Sequence, residues 1–507
     1  MPSDALPDDP ETLKAMLLAE RMQNDRLRQI IKELQRHRFG RRAETLPEDQ
    51  MLLGLEDVEQ TVASDAALAE QTPAERQAKA AKRRINRGAL PAHLPRIEIV
   101  VDIDDKTCPC CQGELHRIGE DKSERLDIVP AQFRVLVTRR PKYACRKCED
   151  GVMQAQAPAR LIEGGMPTEA TIAQVLVSKY ADHLPLYRQA QIYARQGVAL
   201  DRSTLADWVG HAAWHLRPLH ERLLMKLKGY GRLFADETTA PVLDPGRGRT
   251  KTGQLWAYAA DDRPWGGSDP PGVAYVYAPD RKAERPIAHL EGFKGILQVD
   301  GYAGYRKLAE RGNVRLAFCW SHVRRNFYEL ATPGPAPIAS EALAHIAAIY
   351  AVEKDIRGRS ADERRVVRQQ KTHPLIDALE PWLRAKLGLI SQKSKLADAI
   401  RYALSRWEGL TRFIDDGRIE LDNNTVERSI RPIALNRKNA LFAGSDGGAE
   451  HWATIASLIE TCKLNDVDPL AYLTDVLTRI ANGHPNSQID QLLPWAYRVM
   501  QATRAVA

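Results

Sequence analysis

The strongest constraint in this chain is a change of apolar period. Three strand-like runs follow one another, GRLFADET (231 to 238), QLWAYAADD (254 to 262) and GVAYVYAPD (272 to 280), and an alternation of helix and strand comes next. A helix is expected from about Arg285, then the strand GILQVDGY, a second helix and the strand RLAFCW. Three strands leading into alternating helix and strand is an α/β order. From Ser321 to about Asp416 the pattern is largely helical, broken by the turn PGPAP at 333 to 337. That stretch reads as an insertion before GRIELDNNTVERSIRP.

This order is compatible with a ribonuclease H-like fold, and its acids fall where chemistry can use them. Asp236 ends the apolar run RLFAD, and Asp300 ends ILQVD. Carboxylates at strand ends sit at the rim of a sheet while their backbones stay anchored, so two on neighbouring strands can share a cation. Glu427 follows DNNTV at an expected helix start, with Asp422 or Asn423 able to cap it. Such hard oxygen ligands suit magnesium, which keeps positions for water and phosphate. Two ions about 3.5–4 Å apart can serve an in-line displacement at phosphorus. Acids at strand ends also act as turn formers and helix caps, and spacing alone does not separate these uses.

Ahead of the α/β block, residues 11 to 38 read as one helix. Leu13, Leu27 and Leu34 fall on a heptad row, interrupted by Glu20, with Leu17, Asn24 and Ile31 on the companion row. This is a short zipper that predicts a homo-oligomer; the alternative is an amphipathic helix packed on its own protein. Residues 43 to 95 hold few large apolar side chains and read as a linker with a basic end, KAAKRRINR. Short strands such as IEIVVDI and QFRVLVTRR then carry two cysteine knuckles. Cys108 and Cys111 form the first, Cys145 and Cys148 the second, 33 residues apart. Four thiolates suit tetrahedral structural zinc, although Cys110 in CPCC leaves the first pair open. Cys319 and Cys462 stand in apolar contexts and read as small core residues.

Between Pro167 and Leu216 the period is helical: a helix, a turn at Gly197, and a second helix opened by Asp201 or by Arg202 and Ser203. The polar face of that second helix, with Arg202, Ser203 and Thr204 at its start, has the form of a major-groove reader, though helix pairs of this kind also occur in cores that touch no DNA. The string CWSHVRRNF offers His322 as a metal ligand or general base, or simply as a packing residue, and Arg324 and Arg325 as phosphate clamps. Arg428, Arg431, Arg437 and Lys438 cluster after Glu427 in the same way. Overall charge is only mildly basic, 73 Lys plus Arg against 66 Asp plus Glu, so it names no partner by itself. No Walker string GxxxxGK[ST] occurs, and the glycines of FAGSDGGAE read as a mobile loop. No secretory leader and no apolar run long enough for a membrane span is found, so a cytoplasmic protein with no membrane partner is expected.

The segments LFADET, LQVDGYAGY, CWSHVRRNF and the long string from GRIELDNNTVERSIRP to NDVDPLAYL closely resemble the insertion sequence 66 (TnpC) family of bacterial transposases. The resemblance covers nearly the whole chain. It implies a DDE transposase with Asp236, Asp300 and Glu427 as first, second and third acids, and makes the helices between the last two an insertion in the catalytic fold. The expected layout is a zipper helix (1–42), a basic linker (43–95), a zinc-binding strand module (96–160) and a helix-turn-helix-like DNA-binding region (161–228). A ribonuclease H-like catalytic domain (229–456, insertion about 330–416) and a C-terminal helical element (457–507) complete it. The resemblance further implies two magnesium or manganese ions, double-stranded DNA as partner at the element's inverted repeats and target, companion proteins of the same element, and a nucleoid-associated place in a bacterium. A non-catalytic regulator derived from a transposase and a structure-selective nuclease of the same fold are the alternatives.

Overall fold

The computed structural model describes residues 132–144, 152–244, 249–332 and 334–497, together with Asp9. The zipper helix, the linker and all four zinc-type cysteines lie outside the described residues. The chain divides into Met1–Ala131 and Gln132–Ala507, and every element below belongs to the second unit.

Two short strands, β1 (Lys142–Ala144) and β2 (Val152–Gln154), pair antiparallel around the segment that contains Cys145 and Cys148. The expected strand QFRVLVTRR is not formed. Residues 132–141 have no regular structure, and Val135, Leu136 and Val137 are exposed, with no strand paired to them among the described residues.

Helix α1 (Glu169–Tyr180) is capped by the Thr168 side chain, and α2 (Leu186–Arg195) follows. Gly197 adopts φ +81° at the turn, where a side chain would be strained. Helix α3 (Arg202–Lys228) then opens where expected, with Asp201 in the capping position but making no side-chain cap bond. These helices build no separate interior. Leu176, Leu205 and Leu216 share one apolar core with the sheet residues Leu233, Trp256 and Tyr275.

The central sheet has five strands in the order β5-β4-β3-β6-β7. Strands β3 (Arg232–Asp244), β4 (Arg249–Ala260) and β5 (Gly272–Ala278) pair antiparallel, while β6 (Gly295–Val299) lies parallel to β3 and β7 (Val314–Phe318) parallel to β6. Short helices α4 (Glu284–His289) and α5 (Gly304–Ala309) supply the crossovers. The α/β order read from the apolar period is therefore present.

Helices α6 (Trp320–Ala331), α7 (Pro337–Ile356), α8 (Ala361–Val367), α9 (His373–Gly388), α10 (Lys395–Leu404) and α11 (Trp407–Thr411) form the helical stretch. Their apolar side chains make a second core that includes Ile296 and Ala317 of the sheet. The chain then returns as α12 (Asn424–Ala440), α13 (Asp446–Leu464) and α14 (Pro469–Ala481). Helix α13 runs unbroken across residue 457 and closes the β5 edge with side chains. Ser457 Oγ accepts from Tyr275 N at 2.8 Å, and Thr461 Oγ1 accepts from Val273 N at 3.1 Å. Hydroxyls thus replace a further strand.

Candidate active site

Asp236 is not at a strand end, as its apolar run suggested. Strand β3 continues to Asp244, because Thr238 to Leu243 stay paired with β4. What ends near the acid is the parallel pairing: the last β3–β6 pair is Phe234 with Gln298, two residues before Asp236 and Asp300 respectively. Asp236 on β3 and Asp300, one residue past the end of β6, therefore each follow that pair by two residues, where neighbouring strands are about 4.8 Å apart. The rim that the sequence placed at a strand end is made by the end of β6.

Backbone bonds fix each carboxylate. Asp236 Oδ1 accepts from Glu237 N at 2.8 Å, and Asp300 Oδ1 accepts from Tyr302 N at 2.9 Å. The turn after Asp300 is held from the helical insertion, where Tyr402 Oη donates to the Asp300 carbonyl at 2.6 Å and Arg406 Nη2 to the Gly301 carbonyl at 3.2 Å. Gly301 has φ +106°, and a Cβ there would lie 2.5 Å from Arg406 Nε, so both conformation and space require glycine.

Glu427 arrives on the first turn of α12. Gln298, fully buried in β6, donates from Nε2 to the carbonyls of Glu420 at 2.7 Å and Asp422 at 2.8 Å. Asn423 does not cap the helix with its side chain, as it was read to be able to. Its Nδ2 donates instead to the Ala235 carbonyl at 3.2 Å, beside Asp236, while Asp422 Oδ1 takes the Asn424 N–H at 3.2 Å. Trp320 N donates to the Leu421 carbonyl, tying α6 to the same segment. The start of α12 is thereby bound to β3, β6 and α6 together. Gln298, Tyr402 and Arg406 were missed as site-building residues, while Asn423 was singled out in another role; of the three missed, only Gln298 gave a signal, as a lone amide inside an apolar strand two residues before an acid.

The electrostatics are those of crowded acids. Burial pushes the Asp236 carboxyl up to about 8, with Asp300, Glu237 and Glu427 adding to the rise against one backbone hydrogen bond. Burial also raises Glu237, which Arg281 Nε partly offsets at 2.7 Å. Arg281, half exposed and stacked 4.3 Å from the Tyr302 ring centroid, is a further cation at this rim that the sequence reading overlooked. Glu427 Oε1 is buried with no hydrogen-bond partner. A buried carboxylate oxygen without a donor and a carboxyl raised by its neighbours are what a hard divalent cation would relieve, so the donor set fits magnesium or manganese.

Ligand atoms of Cys319, His322 and Glu427 lie within 4.8 Å of one another, a set that Asp236 and Asp300 do not join. Cys319 is buried as expected for a core residue, and burial pushes its thiol up to about 11, so it stays protonated and is no ligand for a hard cation. Its sulfur accepts from Asn423 N at 3.2 Å. His322 is half-buried with Nδ1 unpartnered; burial lowers its pKa, while Glu427 and Asp300 pull it upward and Arg325 downward.

Cations line the flanks. Arg324 and Arg325 are exposed on α6, and Arg428, Arg431 and Lys438 are exposed on α12. Arg437 instead donates to the Thr239 carbonyl at 2.6 Å. Glu427, Arg431 and Lys438, at i, i+4 and i+11, share one stripe of the helix, whose opposite face buries Val426, Ser429, Ile433 and Asn436. Arg202 and Ser203 are exposed and Thr204 half-buried at the start of α3. That start lies about 27 Å along the helix from His220, where α3 meets β5.

Comparison with known proteins gives four ordered matches. Residues 164–451 match the family described as Transposase IS66 family, and 457–495 the IS66 C-terminal element. Residues 105–149 match the zinc-finger binding domain of transposase IS66, which covers all four knuckle cysteines. Residues 26–99 match the family described as Transposase C of IS166 homeodomain, where composition read part of a zipper and a linker. Among curated relatives, uncharacterized proteins y4qI and y4jD of Sinorhizobium fredii are 44% and 45% identical, covering 98% and 99% of this chain and 99% of their own lengths. A third, y4hP of the same organism, is 37% identical over 92% of this chain and 88% of its own. No helix among the described residues is long and apolar enough to cross a membrane.

Proposed function

The chain belongs to the IS66 family of transposases, and from that premise we propose that it cuts and joins DNA at the ends of its own element, with Asp236, Asp300 and Glu427 holding two divalent cations. The observation that carries this reading is the convergence of acids: Asp236 and Asp300 each stand two residues past the last β3–β6 pair, Glu427 Oε1 is buried with no hydrogen-bond partner, and the charges of Asp300, Glu237 and Glu427 add to burial in raising the Asp236 carboxyl. Such repulsion is costly unless a cation takes part. The strand order, three antiparallel strands followed by two parallel ones, supports a ribonuclease H-like catalytic fold.

When bound, magnesium or manganese would polarise the attacking oxygen and offset charge on the leaving oxygen. Asp236 and Asp300 hold the pair from adjacent strands, and Glu427 closes the set from α12. In the first step a water oxygen bonds to phosphorus and the bond to the 3′ oxygen breaks, leaving a 3′-hydroxyl and a 5′-phosphate. In the second, that 3′-hydroxyl bonds to a target phosphorus and the target's own 3′ oxygen leaves. Arg431, Lys438 and Arg428 on α12 and Arg324 and Arg325 on α6 take the phosphates, Arg437 braces α12 against β3 through Thr239, and Arg202, Ser203 and Thr204 approach the groove. Cys108, Cys111, Cys145 and Cys148 hold a structural zinc. The zipper pairs two copies on two element ends, and companion proteins of the element join the complex.

The test incubates labelled element ends with protein and magnesium or manganese, following nicked and joined products for the parent and for Asp300→Asn. Loss of both products with end binding retained is the expected outcome. Unchanged cleavage by the variant removes the assignment. Cleavage without joining by the parent marks a nuclease instead, and binding without metal-dependent cleavage a regulator.

A further inference from the structure

Helix α12 ends in an unusual way. Leu441 follows it with φ 60° and ψ −52°, the centre of a strained γ-turn closed by Phe442 N donating to the Ala440 carbonyl at 2.6 Å, and Phe442 comes next. Both side chains face solvent, Leu441 64% and Phe442 43% exposed. The segment is no mobile loop, although its glycines read that way. Leu441 N donates to the Arg437 carbonyl at 3.0 Å, Ala443 N to the Pro241 carbonyl at 2.9 Å, and Leu243 N to the Ala443 carbonyl at 2.8 Å. Gly447 and Gly448 already belong to the first turn of α13, capped by Ser445, and Asp446 is held by Lys251 Nζ at 2.6 Å. Two adjacent apolar side chains are therefore presented outward by a strained backbone that is fixed on both sides.

Their surroundings say what they meet. Beyond Glu427 on the same stripe of α12, the exposed Arg431 and Lys438 lead toward this tip, two cations complementary to a phosphate backbone. Apolar side chains offered beside such cations are suited to entering a base step, where leucine and phenylalanine partly unstack the bases.

We propose that Leu441 and Phe442 form a wedge that enters the base stack of the bound element end. The inference rests on the transposase reading above. Leu441 lies fourteen residues beyond Glu427, about 21 Å along the helix, so a duplex lying along α12 is unstacked roughly six base pairs from the scissile phosphate.

The experiment uses the full chain and element-end duplexes carrying 2-aminopurine at successive positions from the cleaved phosphate. The parent protein is expected to raise emission several-fold at one or two positions near the sixth base pair. The double variant Leu441→Gly, Phe442→Ala relieves the positive-φ turn and should lose that rise, with binding weakened less than tenfold and a thermal transition no lower than the parent's. Enhancement that persists in the variant, or binding and cleavage by the parent with no enhancement anywhere, overturns the wedge while leaving the transposase reading intact. A change of oligomeric state in the variant without DNA, emission unaltered, also overturns it and marks the tip as a contact between copies. Failure of the parent to bind or cut the duplex sinks the transposase reading instead.

Discussion

Gln298 bonds to the two carbonyls that lead into α12, and through them it sets where Glu427 stands. Replacing it with leucine, which has nearly the same volume, leaves the carbonyls of Glu420 and Asp422 without that donor in a buried place. Chemical denaturation of Gln298→Leu should show a loss of about 1–3 kcal/mol. Single-turnover cleavage should fall at least tenfold while end binding holds, because the substrate contacts are elsewhere. A stability loss with an unaltered cleavage rate would make Gln298 a fold residue only. At this scale the three acids were legible, since they close or follow apolar runs. The amides that aim them were not, because an amide's partners are carbonyls more than a hundred residues away.

Between elements, the joint of α3 with β5 carries a pH dependence. His220 Nε2 bonds the Tyr275 carbonyl at 2.8 Å, and burial lowers its pKa to about 4. A histidine depressed from 6.5 contributes stability that is complete above about 6.5 and is lost as pH falls toward 4, since the unfolded chain takes the proton first. His220→Gln keeps a donor and removes the titration. Between pH 7.5 and 4.5 the variant should lose on the order of 2–3 kcal/mol less stability than the parent in denaturant melts. An equal loss in both would show that His220 does not titrate as its burial requires. Period and capping made most elements legible, including α2, the Gly197 turn and α3. The length of β3 was not legible, because Thr238, Thr239 and Pro241 break its apolar run and only pairing with β4 extends it. The strand expected at QFRVLVTRR has a suitable pattern and no paired strand among the described residues.

Over the described molecule, two apolar cores lie against one sheet, and buried charge joins the second core to the site. Arg368 is fully buried, paired with Glu353 at 2.7 Å and donating to the carbonyls of Phe413, Asp416 and Ile419. Arg364 pairs with Glu420 at 2.8 Å, directly ahead of α12. The helical stretch thus holds the segment that leads into α12 and Glu427. Arg368→Met would leave Glu353 with only Arg364 at 3.6 Å and three carbonyls without their donor, and should lower stability by about 3–5 kcal/mol in chemical denaturation. A loss below about 1 kcal/mol would mean the insertion is not secured through this residue.

Alone, the sequence determined the α/β order and the helical stretch, and it singled out three candidate acids and two cysteine knuckles. These rest on local period and on residue chemistry, which a linear string retains. Tertiary structure alone decided that Asp236 and Asp300 each follow the last β3–β6 pair by two residues, that Asn423 turns from capping to β3, and that Leu441 and Phe442 stand outward on a fixed tip. Each depends on which distant backbone group lies within hydrogen-bonding reach, and that is a property of the packed chain.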